Sequence, residues 1–111
     1  MDTTRIVRTI DKVEWNNILI QCKKCITLSP HARDRLNDAQ RKFFTEEELR
    51  KIIIREVPIL VGIQHNGRYA LFYRRSRGFT KIICANVAHS LEIITFINLD
   101  QLPNLQEDVS W

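Results

Sequence analysis

The chain is 111 residues long, 44% hydrophobic and 27% charged, with a formal net charge of +4. That length supports one domain with a single core, and the composition is ordinary for a globular protein, which argues against a disordered or fibrous chain. The organisation expected is a helical part over 11–56, a sheet over 57–98 and a tail over 99–111. No apolar run approaches the roughly 18–20 residues that cross a bilayer. The first twelve residues lack the apolar core of a signal peptide, so a cytoplasmic protein with no membrane partner is expected.

In chain order, Asp11 and Glu14 have capping-box spacing. Trp15, Ile18, Leu19 and Cys22 follow at helical intervals, predicting a helix over Asp11–Lys24. Ile26–Leu28 reads as a short extended link. Ser29-Pro30 is an N-cap followed by a favoured first-turn proline, and a second helix is expected from there to Gln40. Thr45 and Glu48 form another capping box. Glu46 and Glu47 suit the positive end of a third helix, with Leu49, Ile52 and Ile53 on its apolar face. That helix must stop near Glu56, because Pro58 disfavours helix at Val57.

The period then changes. Ile59–Gln64 is an apolar strand, and His65-Asn66-Gly67 carries the Asn-Gly hairpin signal. Arg68–Arg75 is the returning strand, and Ser76-Arg77-Gly78-Phe79 the next turn. Lys81–Val87 and Leu91–Asn98 are two more strands, joined by Ala88-His89-Ser90. The fold class expected is α+β: N-terminal helices packed on one face of a four-stranded antiparallel sheet.

Charge is unevenly spread. Residues 57–91 contain Arg68, Arg74, Arg75, Arg77 and Lys81 and no Asp or Glu, whereas residues 92–111 contain four acids and no cation. A basic, aromatic sheet segment without carboxylates suits a polyanion, and RNA is the first partner to consider. Alternation puts Arg68, Ala70, Phe72 and Arg74 on one face of the second strand and Tyr69, Leu71, Tyr73 and Arg75 on the other. Either face mixes rings and cations. Arginine can contact phosphate with two donors, and tyrosine can stack on an unpaired base. The competing reading is that one face is core and the arginines solvate a hairpin.

His31 and Arg35 are four apart and project from one side of the second helix. A neutral imidazole in a first helical turn can take a proton, and a nearby guanidinium can stabilise charge on a phosphate. Such a pair suits metal-independent phosphodiester cleavage, although a lone His near a helix start is more often a surface or capping group. His65 falls in a hairpin turn and reads as solvent-exposed, while His89, in the tight connection between the last two strands, could reach a cleft. Cys22 and Cys25 form a C-x-x-C, but zinc needs about four ligands and no second pair is present. A thioredoxin-like site would open a helix, whereas this pair closes one. It reads as one buried and one exposed cysteine, with Cys84 in the core. No cofactor or metal is expected, and no glycine-rich phosphate cradle is present.

The order Ser29-Pro30-His31-Ala32-Arg33-Asp34-Arg35-Leu36, Thr45-Glu46-Glu47-Glu48-Leu49 with Ile52-Ile53, Gly67-Arg68-Tyr69 and Leu91-Glu92-Ile93-Ile94-Thr95-Phe96 resembles the DUF4258 family. That family is similar in architecture to the RelE, ParE and BrnT toxins of toxin–antitoxin systems. The resemblance covers roughly residues 26–98. It implies a RelE-like fold, an endoribonuclease-type toxin domain and an antitoxin partner, with His31 and Arg35 at the family's helical His and Arg. The site then expected is His31, Arg35 and Tyr73 for catalysis, with Arg68, Tyr69, Arg74, Arg75, Arg77 and Lys81 holding nucleic acid. Two other readings stand beside it. One is a non-enzymatic nucleic-acid-binding regulator. The other is a homodimeric interaction subunit paired through Ile59–Ile63 and Ile93–Ile97.

Overall fold

The computed structural model describes residues 3–22, 24–37 and 44–103. The expected continuation of the second helix to Gln40, and the tail from Asn104 onward, lie outside them.

Six strands form one sheet: β1 (Ile6–Ile10), β2 (Ile26–Leu28), β3 (Leu60–Gln64), β4 (Tyr69–Arg74), β5 (Phe79–Val87) and β6 (Ser90–Leu99). Their order is β1-β3-β4-β5-β6-β2. The expected four-stranded antiparallel sheet is thus corrected to a six-stranded mixed one, within the same α+β class. The meander β3–β6 is flanked by an N-terminal strand on each side. β1 runs antiparallel to β3, and β2 runs parallel to β6. The extra strands follow from unpaired edges: each outer strand of the meander offers a row of backbone donors and acceptors that an extended segment can satisfy. Arg50 also ties β2 down, donating from Nε to the Ile26 carbonyl at 2.8 Å.

Three helices, α1 (Lys12–Cys22), α2 (Pro30–Leu36) and α3 (Glu46–Arg55), start where the capping residues put them. Asp11 Oδ1 accepts from the Glu14 amide at 2.8 Å. Ser29 Oγ accepts from Ala32 and Thr45 Oγ1 from Glu48, both at 3.1 Å. Each cap satisfies an amide that the helix leaves without a partner. Glu46 takes Arg50 at 2.9 Å and Arg33 at 3.2 Å, joining α2 to α3.

The main core lies between the helices and one sheet face. It packs Trp15, Leu19 and Cys22 of α1 and Leu49, Ile52 and Ile53 of α3 against Leu71, Tyr73, Ile82, Leu91, Ile93 and Phe96. A smaller cluster occupies the second face: Ile6, Ala70, Phe72 and Ile83, with Leu60, Ile94 and Leu99 around it. It contains no helix residue.

Two glycines are required by the hairpins. Gly67 and Gly78 both have positive φ, 86° and 78°, which a residue without Cβ adopts at little cost. At Gly78 an added Cβ would also collide with the Leu99 carbonyl.

Candidate nucleic-acid interface

Strand β4 sorts its residues by alternation. Tyr69, Leu71 and Tyr73 face the helices, while Ala70, Phe72 and Arg74 face away. The choice left open in the sequence is thereby made: the basic side of β4 is the second face.

Tyr73 is fully buried in the main core, and its hydroxyl has no hydrogen-bond partner among the described residues. Burial holds its pKa far above the ordinary phenol value, with Cys84 and Glu56 adding to the rise. A catalytic role for Tyr73 is therefore set aside, since no substrate reaches it. Tyr69 is half-buried on the same side, its ring tilted at 57° to Trp15 with centroids 5.7 Å apart. Burial, ahead of the Cys84 and Glu14 charges, raises its pKa too. A ring held against α1 in this way is not available to stack on a base.

Arg75 also belongs to the helix side. Its guanidinium meets the Glu56 carboxylate at 2.7 Å beyond the end of α3. Its charge is committed to a structural pair, so it leaves the set of nucleic-acid contacts.

The second face keeps the other cations. The Arg74 guanidinium lies over the Phe79 ring at 5.6 Å, and the Lys81 ammonium over the Phe72 ring at 5.6 Å. Cation–π contact of this kind anchors the stem of a long side chain, and the exposed Arg74 keeps its charge able to meet an anion. Arg68 is exposed just before β4 and Arg77 in the β4–β5 turn. Among the described residues, Arg68, Arg74 and Arg77 form no ion pair with a carboxylate. Glu92 shares this face but sits opposite Ala85, toward the other end of β5.

A bulge brings α2 to the same face. Ile83 pairs with Thr95 and Cys84 with Ile93, so Ile94 is the extra residue in β6. Ile94 packs into the second cluster, and Thr95 stands opposite Ile83 of that cluster. Without the bulge, Thr95 would share the helix-side parity of Leu91 and Ile93. Ser29 fixes the start of α2 beside this bulge, donating from its amide to the Ile93 carbonyl at 2.9 Å and from Oγ to the Ile94 carbonyl at 3.2 Å. Arg35 then reaches over the sheet, and its Nη1 donates to Thr95 Oγ1 at 2.7 Å. His31, one helical turn earlier, is exposed.

Arg35, Arg74 and Lys81 are thus associated with one sheet face, Arg68 and Arg77 flank it, and His31 stands on its α2 side. Thr95 and Phe79 are the participants that sequence reasoning missed. Phe79 was taken for a turn residue. The signal for Thr95 was present in the core spacing, because Leu91, Ile93 and Phe96 step by two and then by three.

Among the described residues, no group of three or more His, Cys, Asp or Glu side chains gathers as a metal would need. No helix among them is long and apolar enough to cross a membrane.

No family model, curated protein or solved structure matches the chain. The likeness to the DUF4258 family therefore rests on the motifs quoted for it.

Proposed function

We propose that the protein binds single-stranded RNA across the second face of its sheet. Arg35, Arg74 and Lys81 serve as phosphate contacts, with Arg68 and Arg77 extending the track. The observation that supports this most is the Arg35–Thr95 hydrogen bond, which carries a cation from α2 onto the face of Arg74 and Lys81. Cations spaced along a sheet face, with Glu92 set toward its other end, give backbone recognition that tolerates sequence. A reducing, cytoplasmic setting suits this reading, since all three cysteines are free thiols.

Fluorescence anisotropy with a labelled single-stranded RNA, titrated at several salt concentrations, tests it. Binding should weaken steeply with salt, and Arg35→Ala or Arg74→Ala should each lower the salt slope by about one. Binding unaffected by either substitution would remove this face as the site. A DNA strand of the same sequence serves as the comparison.

Cleavage is the second reading, favoured by the exposure of His31 one turn from Arg35. Incubation with RNA in EDTA separates it from binding. Loss of cleavage in His31→Ala, with affinity retained, would support a general base. Equal behaviour of the two proteins would leave a binding module.

A further inference from the structure

The Cys22/Cys25 pair lies apart from the proposed RNA face. Cys22 ends α1 and is buried, while Cys25 precedes β2 and is exposed. The Cys25 amide donates to the Cys22 carbonyl at 2.9 Å. A four-residue turn keeps the two Cα atoms within about 7 Å, and disulfides span about 4.4–6.8 Å. The backbone is therefore already folded to bridging range.

Both sulfurs are presently turned toward the same hairpin. Cys22 Sγ contacts Asn86 Oδ1 at 3.6 Å, and Ser90 Oγ lies 3.0 Å from both Cys25 Sγ and the Cys25 carbonyl oxygen. Asn86 and Ser90 flank the β5–β6 turn, where Ala88 and His89 both hold positive φ. The sulfurs thus cap the end of a hairpin whose turn is strained.

We infer that Cys22 and Cys25 form a reversible intramolecular disulfide on exposure to a peroxide, with Cys25 as the attacked thiol and Cys22 as the resolving one. The exposed Cys25 sulfur, as thiolate, displaces hydroxide from the peroxide O–O bond, giving a sulfenic acid and, after protonation, water. The Cys22 sulfur then attacks the sulfenic sulfur, the S–O bond breaks, and a second water leaves with the Cys22 proton. Two thiols have lost two electrons to one peroxide, and a dithiol reductant reverses the change. Bridging turns both sulfurs away from Asn86 and Ser90, so oxidation gives up two sulfur contacts at the hairpin end while the Cys25 carbonyl keeps the Ser90 hydroxyl and the Leu91 amide. The pair closes a helix rather than opening one, so the expected role is that of a modified site and not of a thioredoxin-like catalyst.

The test uses the wild-type protein. After peroxide treatment and removal of excess oxidant, it is denatured and alkylated without reductant, then mapped by mass spectrometry. The expected result is an intact mass equal to the reduced chain less two hydrogens plus a single alkyl group, that group on Cys84, a peptide linking Cys22 to Cys25, and full recovery of free thiols after dithiothreitol. In Cys22→Ser the reaction should stop at a Cys25 sulfenic acid that dimedone traps. Any of three results overturns the inference: both cysteines still alkylated, Cys25 driven to sulfinic acid in the wild type, or Cys25 found only in cross-links between chains.

Discussion

Arg75 and Glu56 close a two-pronged ion pair, Nη1 to Oε1 at 2.7 Å and Nη2 to Oε2 at 3.3 Å. The neighbouring cation, Arg74, lies over Phe79 on the other side of the sheet. Adjacent arginines thus perform separate tasks. Arg74→Ala should weaken RNA binding and leave the thermal midpoint nearly unchanged. Arg75→Ala should leave RNA binding unchanged and lower stability by about 0.5–1 kcal/mol, the usual worth of a half-exposed pair. Anisotropy and chemical denaturation on both variants check this, and the reverse pattern would mean that the faces are assigned the wrong way round.

Tyr73 buries a hydroxyl that has no partner among the described residues. Removing it takes away an uncompensated desolvation cost. Tyr73→Phe should be neutral or stabilising by up to about 1–2 kcal/mol, with RNA binding and any cleavage intact. A large loss of activity in a folded Tyr73→Phe protein would restore this side chain to the site.

Gly62 pairs with Thr9 in the β1–β3 ladder, and the Ile6 side chain lies over it. A Cβ at Gly62 would come within 2.9 Å of Ile6 Cδ1 and Cγ2, and Ile6 is itself buried. Gly62→Ala should destabilise by about 1–3 kcal/mol through overpacking. In an Ile6→Ala background the same change should cost much less, giving a favourable coupling energy in a double-mutant cycle. Additive costs would show that β1 does not lie over Gly62.

The β5–β6 turn places Ala88 and His89 at φ 53° and 62°. Two consecutive left-handed residues make the turn that Asn-Gly fills best. Replacing Ala88 by Asn and His89 by Gly should raise stability by about 1 kcal/mol, as relief of backbone strain. Differential scanning calorimetry reads this as a higher thermal midpoint. An unchanged or lower midpoint contradicts it.

Alkaline pH should destabilise the fold. Burial, with a contribution from Cys22, pushes the Cys84 thiol from 9.0 up to about 12. Below pH 9 the thiol is protonated whether folded or unfolded, and its contribution is fully present. Above pH 9 the unfolded chain loses the proton while the folded chain keeps it. Stability then falls by up to about 1.4 kcal/mol per pH unit until the folded thiol also titrates. Tyr73, whose ordinary value is 10.0, adds to the loss above that pH. Urea midpoints between pH 8 and 11 measure the slope, and Cys84→Ala should flatten it between pH 9 and 10. A midpoint independent of pH across that range is incompatible with these buried groups.

The three helices and four meander strands were legible because each carries its own signal. Ser29, Thr45 and Asp11 cap, Pro58 stops, Gly67 and Gly78 turn, and the apolar period switches from helical to alternating between Ile53 and Val61. The two edge strands were not. Ile26–Leu28 was recognised as extended but has only three residues, and Ile6–Ile10 mixes Arg8 and Thr9 into a short run. Their identity as strands comes from partners far along the chain, which local pattern does not register. The site divided in the same way. Helical spacing put His31 and Arg35 on one side of α2 and charge singled out the arginines of β4, but which face stays basic depends on where the helices pack. Tyr73 and Arg75 lie on the helix side for that reason.

The sheet order sets the sequence of events in assembly. β1 and β2, which precede the meander along the chain, occupy the two outermost places in the sheet. Cys25 and Ser29 bond to partners about sixty residues later, at Leu91 and Ile93. β2 has no strand to join until β6 exists, so the first quarter of the chain must wait while the rest is synthesised. Such long-range closure slows folding. It also makes the β6 segment a requirement for docking the N-terminal half: a chain ended before Leu91 would lack the seat for β2 and the bulge that Arg35 reaches.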